Sequence, residues 1–284
     1  MLKKNLVRTS LFSPVLLLLF PIVTAMRGEP KNSFEEKPIY INWQKAEAFI
    51  SDSSAYLSTE AMYANAPKIS LNKHASTFVK SYLVREGEAL QKTKGRSATY
   101  FKMMDDIFTR YGLPLELRYL AVIESDLKTN ARSKVGAKGL WQFMPQTARD
   151  LGLKVTYKYD ERTYAYKSTV AAAKYIKDLY TQFGDWLLVV AAYNCGPGPV
   201  YHAIKRSGSK NFWTIQYYLP EESRFHVKRF IGTHYYFEGK GSLVTMTKAE
   251  TVKYLSELEL FKTSIQPVEM KRDSAIAAVA MKTF

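Results

Sequence analysis

The order of apolar and polar positions along the chain predicts a fold made mainly of helices. From about Leu71 onward, apolar residues recur at intervals of three and four, which is the spacing of one face of a helix. Segments that alternate every second residue, as half-buried strands do, are nearly absent. We therefore expect a mainly α fold in which short helices pack compactly together.

Capping and stopping residues divide this pattern into separate helices. Asn72 can cap a first helix, which Gly95 to Ser97 is expected to break before a second helix from about Ala98 to Tyr111. The polar segment 26–66 is expected to hold short helical pieces around Trp43 to Ile50. The further predicted helices are Pro114 to Leu127, a short helix from Pro145, Ser168 to Phe183, Trp186 to Tyr193 capped by Asp185, a short helix after Gly198, Glu221 to Phe237, and Lys248 to Phe261.

The amino-terminal segment has the layout of a secretory signal peptide. Lys3, Lys4 and Arg8 precede an unbroken apolar run, Val15 to Phe20, which is short for a membrane span. No cysteine follows directly after this run, which excludes a lipoprotein anchor, whereas an uncleaved anchor is an alternative. We expect residues 1–25 to be a signal peptide, 26–70 a partly helical leader, 71–238 the main domain and 239–284 a partly helical tail.

Charge and residue types narrow the possible functions. The chain has 284 residues, a formal net charge of +15, one cysteine and four histidines. A positive surface attracts nucleic acid, anionic lipid or cell-wall polymer, but the basic residues are spread out and form no recognisable nucleic-acid-binding module. The single cysteine, Cys195, cannot form an internal disulfide, and the histidines lack zinc-ligand spacing. We expect no metal, no cofactor and no nucleic-acid partner.

One carboxylate stands out because it continues an apolar stripe. Leu117, Leu120 and Ala121 share a helix face, and Glu124 lies on the same face near the carboxyl end of the predicted helix. Loss of water and the negative end of the helix dipole both raise the pKa of such a carboxyl group. A raised pKa suits a general acid at neutral pH. The alternative is a buried glutamate paired with a base such as Arg132.

A loop of small residues follows this helix and leads into an aromatic segment. Gly139 and its small neighbours allow backbone to approach a bulky ligand closely. Gln142 and Met144 lie two residues apart, so an extended backbone would direct both to one side. Trp141 and Phe143 would then face the core. An ordinary packed loop is the alternative interpretation.

A third segment, Ala192 to Gly198, ends an apolar helix with a tyrosine, an asparagine and a glycine turn. The hydroxyl of Tyr193 could reach a nearby carboxyl group or a sugar. The alternative is a simple helix C-cap, with Asn194 or Gly196 in the left-handed conformation.

Together these segments resemble the soluble-lytic-transglycosylase catalytic domain. The matching motifs are Glu124-Ser125, Gly136 to Pro145 and Ala192 to Gly198, in this order. The Trp-Gln-Phe-Met form of the second motif, and a fourth segment from Leu219 to Arg224, resemble the membrane-bound lytic transglycosylase D subgroup. The resemblance covers about Leu71 to Tyr236, and it implies a lysozyme-like bundle of short helices.

The resemblance also implies a reaction. The enzyme would cleave the β-1,4 bond between N-acetylmuramic acid and N-acetylglucosamine without water, and would leave a 1,6-anhydromuramic acid end. Glu124 would act first as the acid and then as the base, since Asp126 points to another helix face and is a poor second carboxylate. Positions matching the groove of the family are Ser125, Gly139, Gln142, Met144, Tyr193, Asn194 and Glu222, the last in a supporting role that positions Tyr193 or the saccharide.

Several features leave alternatives open. Cys195, Ser223 and His226 stand where the family usually has alanine, threonine and tyrosine, and the tail shows no LysM repeat. A hydrolase resembling goose-type lysozyme and a non-catalytic peptidoglycan-binding protein are the rival interpretations. The resemblance implies peptidoglycan strands as the partner and the periplasm of a Gram-negative bacterium as the location. Membrane association and oligomeric state are left open.

Overall fold

The computed structural model describes the backbone of residues 65–280 and the side chains of residues 65–265. The predicted signal peptide and the helical pieces around Trp43 to Ile50 lie outside this part. Within it, the regular structure is helical, and strand-like pairing is limited to isolated bridges such as Lys138 with Phe143. The prediction of a mainly α fold is confirmed. Among the helices of the described part, none has the length and apolar character that crossing a bilayer requires.

The α-helices are labelled in chain order, with short 3₁₀ turns between some of them. They are α1 (Lys73–Tyr111), α2 (Tyr119–Ser125), α3 (Pro145–Asp150), α4 (Ala165–Phe183), α5 (Trp186–Cys195), α6 (Pro197–Ser207), α7 (Phe212–Ile215), α8 (Glu221–Glu238) and α9 (Lys248–Ala280). The 3₁₀ turns are Leu115–Arg118, Glu161–Thr163, Gln216–Tyr218 and Leu243–Thr245.

Helix α1 is one continuous helix of 39 residues, so the predicted break at Gly95 is wrong. Its ends are as expected: Asn72 accepts a hydrogen bond from the amide of His74, and Gly112 ends the helix with φ 66°. A glycine inside a helix costs only about 1 kcal/mol. The flanking Thr93 and Ser97 are buried, and Arg96 donates to the carbonyl of Asp126, so packing carries the helix through Gly95.

The predicted helix from Pro114 to Leu127 is shorter and divided. A 3₁₀ turn, Leu115–Arg118, precedes α2, which ends at Ser125 because the next two residues leave the helical region. Asp126 and Leu127 have φ values of 51° and 60°, in the left-handed region. Glu124 is therefore the penultimate residue of α2, close to the point where the chain turns away.

Two other helices also differ from the predicted bounds. Helix α4 begins at Ala165, before Ser168, whose hydroxyl bonds back to the carbonyl of Tyr164 instead of capping the helix. Helix α9 continues from Lys248 to Ala280, well past the predicted end at Phe261. The other predicted helices, including α5 with its Asp185 cap and α8, lie within a few residues of the expected bounds.

Helix α5 lies at the centre of the bundle. The seven residues from Trp186 to Ala192 are all buried, which fits a helix that is apolar on every side. Helices α4, α6 and α8 pack around it, and α8 also contacts α1 and α2. This arrangement brings the carboxyl end of α2, the carboxyl end of α5 and the first turns of α8 together.

Candidate active site

A cleft opens where α2, α5 and the loop before α3 meet. The space within it that is free of protein atoms, part of which is open to solvent, is about 460 Å³. Its lining consists of Glu124, Trp141, Gln142, Phe143, Met144, Thr147, Tyr175, Tyr193, Asn194 and Gly196. The three sequence motifs, which are separated along the chain, therefore meet at one surface.

Glu124 lies in the wall of this cleft with its side chain 13% exposed. Burial raises the pKa of its carboxyl group to about 8, and the nearby Arg229 lowers this pKa while Glu222 raises it. The alternative of an ion pair with Arg132 is not observed among the described residues. At neutral pH the carboxyl group therefore carries its proton, which is the state that a general acid requires.

Helix α8 places three polar side chains behind Glu124. Glu222, His226 and Arg229 are spaced at four and three residues and so share one helix face. The Nε2 atom of His226 lies 3.5 Å from Oε1 of Glu124. Burial also raises the pKa of Glu222, against the effect of Arg229. Glu222 is not part of the cleft lining and acts on Glu124 through its charge.

Two of the predicted groove residues, Gln142 and Met144, line the cleft together. Gln142 adopts φ 48°, a left-handed conformation that a non-glycine residue rarely takes. Its side-chain nitrogen donates to the carbonyl of Gly139 at 2.8 Å and to that of Ala131 at 3.2 Å. The amide thus fixes the loop from which it projects. Trp141 and Phe143 are buried, as predicted, although parts of both also reach the cleft.

Arg162 holds this loop, and the sequence analysis did not identify it. Its guanidinium group donates to the carbonyls of Gly136 at 2.8 Å and Phe143 at 2.9 Å. Asp160 accepts two hydrogen bonds from the same group and one from Lys138, and the Arg162 contact in particular holds the pKa of Asp160 at about 2. An arginine that follows two acidic residues gives no signal in the sequence, because surface salt bridges have the same pattern.

The position of Arg162 also explains why residue 139 is a glycine. It has φ 87°, and a Cβ atom there would lie 1.9 Å from the carbonyl oxygen of Arg162. The sequence predicted that a ligand would approach Gly139 closely. Instead, the backbone of Arg162 makes this close approach, and Gly139 is not part of the cleft lining. The residue supports the cleft from behind.

Ser125 also lies beneath the cleft and not in its lining. Its side chain is 1% exposed, and its hydroxyl group bonds to the carbonyls of Ala121 and Leu140. This contact ties the end of α2 to the loop that carries Gln142. Ser125 thus sets the distance between Glu124 and the opposite wall.

The end of α5 contributes Tyr193 and Asn194 to the lining. The Tyr193 hydroxyl donates to the carbonyl of Trp141 at 2.8 Å. The side-chain oxygen of Asn194 accepts a hydrogen bond of 2.7 Å from Ser223 on α8. Cys195 is half-buried, and its Sγ atom contacts the carbonyl of Ala191 at 3.3 Å, as in a packing residue.

Tyr175 lines the cleft from α4 and belongs to none of the sequence motifs. Its ring lies 5.7 Å from that of Tyr193 and 6.5 Å from that of Phe143, so the three form an aromatic wall. Burial raises the pKa of Tyr175 to about 12, so it keeps its proton. The chain has 20 tyrosines, and nothing in the sequence around Tyr175, which follows an alanine-rich stretch, marks it as a cleft residue.

Other carboxylates near these motifs are engaged elsewhere. Asp126 pairs with Lys128 at 3.1 Å, Glu161 pairs with Lys167, and Asp150 accepts from Gln146. In the lining as described, Glu124 is the one carboxyl group. No cluster of three or more histidine, cysteine or acidic side chains suited to a metal occurs in the described part of the chain.

Comparisons with known proteins place this cleft in a family. Residues 108–216 match the family described as "Transglycosylase SLT domain". The chain is 32% identical over 214 residues to membrane-bound lytic murein transglycosylase D of Escherichia coli K12, covering 72% of this chain and 46% of that protein. It is 42% identical over 117 residues to peptidoglycan transglycosylase gp16 of Escherichia phage T7, covering 40% of this chain and 9% of that protein.

Among solved structures, the 70 kDa soluble lytic transglycosylase SLT70 of Escherichia coli is 19% identical with a TM-score of 0.46, over 74% of this chain and 36% of that chain. The chain spans about half the length of the transglycosylase D that it matches. Glu124, the loop with Gln142 and Met144, and the Tyr193-Asn194 pair all lie within the matched domain. Residues 108–216 therefore form a domain of the transglycosylase SLT family, and the chain resembles the membrane-bound lytic murein transglycosylase D subgroup.

Proposed function

We propose that this protein is a peptidoglycan lytic transglycosylase. It would cleave the β-1,4 bond between N-acetylmuramic acid and N-acetylglucosamine and close a 1,6-anhydro ring on the muramic acid. The observation that carries the proposal is Glu124, a protonated carboxyl group in the wall of a cleft within a transglycosylase SLT domain. Its pKa of about 8 supports a role as general acid at neutral pH.

In the first step, Glu124 gives its proton to the glycosidic oxygen, and the bond from that oxygen to C1 of muramic acid breaks. The electron pair leaves with the N-acetylglucosamine hydroxyl group, and positive charge develops at C1. The acetamido group of the substrate can shield this charge. The rings of Tyr175 and Tyr193 form an aromatic wall on this side of the cleft.

In the second step, the Glu124 carboxylate takes the proton of the C6 hydroxyl group, and O6 attacks C1. The ring closes, and Glu124 regains the proton with which it began. Glycosidases that use two carboxyl groups hold them about 5–10 Å apart across the bond. A cleft lined by one carboxyl group supports a reaction in which the same residue acts as acid and base.

The remaining predicted residues divide into two roles. Gln142, Met144, Tyr193 and Asn194 bind the saccharide, since they line the cleft. Ser125 and Gly139 position the loop, and the charge of Glu222 adds to the effect of burial, which keeps Glu124 protonated against the effect of Arg229. The partner is the glycan strand of the cell wall, and the proposed location is the periplasm. The positive net charge of +15 would help to hold the protein on that anionic polymer.

A Glu124→Gln variant tests the catalytic role. It keeps the size of the side chain and cannot supply the proton. We expect the variant to bind purified sacculi as the parent does and to release no soluble fragments. Release at the rate of the parent protein would rule out Glu124 as the catalyst. If the parent itself binds sacculi and releases nothing, the protein is a non-catalytic binder.

A further inference from the structure

His226 is the side chain whose position is not explained by the fold alone. It lies on α8, is 1% exposed, and directs Nε2 at Oε1 of Glu124 across 3.5 Å. This buried nitrogen has no hydrogen-bond partner among the described residues, and Oε1 of Glu124 is the acceptor that it faces. A buried polar atom without a partner costs free energy, so its retention beside the proposed acid points to use in the reaction.

The surroundings of His226 keep its ring neutral. Burial first, and then the positive charge of Arg229 one helical turn away, hold the pKa of His226 well below its ordinary value. The groups that face Glu124 are Glu222 and Arg229 on the same helix and Tyr193 on α5. A neutral imidazole in this place can donate or accept one hydrogen bond, but it cannot hold a second proton.

We propose that His226 is a positioning residue that donates a hydrogen bond from Nε2 to Oε1 of Glu124. This inference rests on the proposed acid-base role of Glu124. The bond fixes the carboxyl group so that Oε2 faces the cleft and carries the proton that is transferred. As Oε2 gives up this proton, the negative charge on the carboxylate shortens and strengthens the bond from His226.

Proton balance is kept throughout. The proton on Oε2 moves to the glycosidic oxygen, and the proton from the C6 hydroxyl group later returns to Oε2. The Nε2 proton of His226 stays on the imidazole, because a transfer to or from a buried neutral ring beside Arg229 would create an unpaired charge. His226 therefore makes the carboxylate easier to form without titrating.

Three variants separate this role from simple packing. His226→Phe keeps most of the ring volume and removes the donor, whereas His226→Gln keeps a donor at similar reach. His234→Gln is the matched control, since His234 is equally buried on α8 and bonds to Ser242 instead of the cleft. All three variants are expected to lose some stability, so thermal unfolding alone does not decide the question.

The decisive measurement is the pKa of Glu124 itself, followed by carbon-13 NMR of glutamate-labelled protein, with the signal assigned through Glu124→Gln. We expect His226→Phe to raise this pKa by about one pH unit, because a hydrogen bond to the charged form has been lost. His226→Gln should restore most of the parent value. Nitrogen-15 NMR of labelled histidine should show the proton of His226 on Nε2 in the parent protein.

Kinetics on sacculi supply the second measurement. We expect His226→Phe to lower kcat about tenfold with KM nearly unchanged, since the bond strengthens only as charge develops. An unchanged Glu124 pKa in His226→Phe, or an equal change in His234→Gln, would overturn the proposal. The NMR titration requires no turnover, so failure of the proposed enzymatic function is recognised separately, as a normal titration in a protein that cuts no glycan.

Discussion

The phenolic hydroxyl of Tyr193 and the carbonyl oxygen of Trp141 are joined by a hydrogen bond of 2.8 Å across the floor of the cleft. The bond connects the end of α5 to the loop that carries Gln142 and Met144. Because the hydroxyl group bonds to the loop, the ring is the part of Tyr193 that is available to contact a ligand. This contact fixes two of the three sequence motifs relative to each other.

Removal of this hydroxyl tests the connection. Tyr193→Phe keeps the ring against Tyr175 and leaves the Trp141 carbonyl without its partner. We expect the free energy of unfolding to fall by about 1 kcal/mol and the rate of sacculus digestion to fall several-fold. Denaturant unfolding and a turbidity assay measure the two effects. Full activity with reduced stability would mean that the loop keeps its position without the bond.

The raised pKa of Glu124 predicts a pH dependence of activity. Because the free enzyme needs the protonated carboxyl group, kcat/KM should be level below pH 8 and fall about tenfold per pH unit above it. A rate profile on sacculi at constant ionic strength measures this. A profile that falls on the acid side of neutrality instead would contradict the assignment of Glu124 as the acid.

The same pKa predicts a gain in stability for Glu124→Gln. Between its ordinary value of 4.5 and about 8, the folded protein binds a proton at Glu124 that the unfolded chain does not. This contribution is full below pH 4.5 and is lost as the pH rises toward 8. Because the glutamine does not titrate, the free energy of unfolding of the variant should rise relative to that of the parent by about 3 kcal/mol between pH 5 and pH 8. Urea unfolding at several pH values would show a constant difference if the carboxyl group were not perturbed.

Gly139 and Gly136 form a matched pair for testing the loop. Both have positive φ, 87° and 94°, but an added Cβ meets the Arg162 carbonyl only at Gly139 and open space at Gly136. Gly136→Ala should cost about 1 kcal/mol of stability through backbone strain. Gly139→Ala should cost about 3 kcal/mol or more and reduce activity, because the loop must move. Equal losses of stability in the two variants would show that the close approach to Arg162 contributes nothing to the cost of the substitution.

Ser223 is predicted to act on the substrate through Asn194. Ser223→Ala removes the hydroxyl that donates to the Asn194 side chain at 2.7 Å and frees that amide to rotate. We expect KM for soluble glycan strands to rise about threefold to tenfold while kcat changes little, as for loss of one hydrogen bond in binding. Ser223→Thr keeps the hydroxyl and is the control. A change in kcat alone would place Ser223 in a different role.

The sequence predicted the parts of the site that depend on local pattern. The apolar stripe ending at Glu124 and the caps at Asn72 and Asp185 are local features, and each appears in the structure. The break expected at Gly95 does not occur: Thr93 and Ser97 are buried, and Arg96 donates to the carbonyl of Asp126, 30 positions away. Local propensity is a weak guide where tertiary packing opposes it.

The supports of the site could not be predicted in the same way. Arg162 and His226 act through contacts that cross 19 and 102 positions of the chain, to Phe143 and Glu124. No spacing rule for helices or strands relates residues so far apart. The motif match predicts Ser125 and Gly139 at the ligand, but whether each side chain faces the cleft or supports it from behind depends on the packed structure.

We propose that Glu124 works alone and that the substrate supplies its own nucleophile. Mass spectrometry of the fragments released from sacculi by the parent protein tests this directly. We predict 1,6-anhydromuramic acid ends, each lighter by one water than a hydrolysed end, and no fragments from Glu124→Gln. Fragments that carry only reducing, hydrated muramic acid ends would contradict the ring-closing mechanism and identify the protein as a lysozyme-type hydrolase.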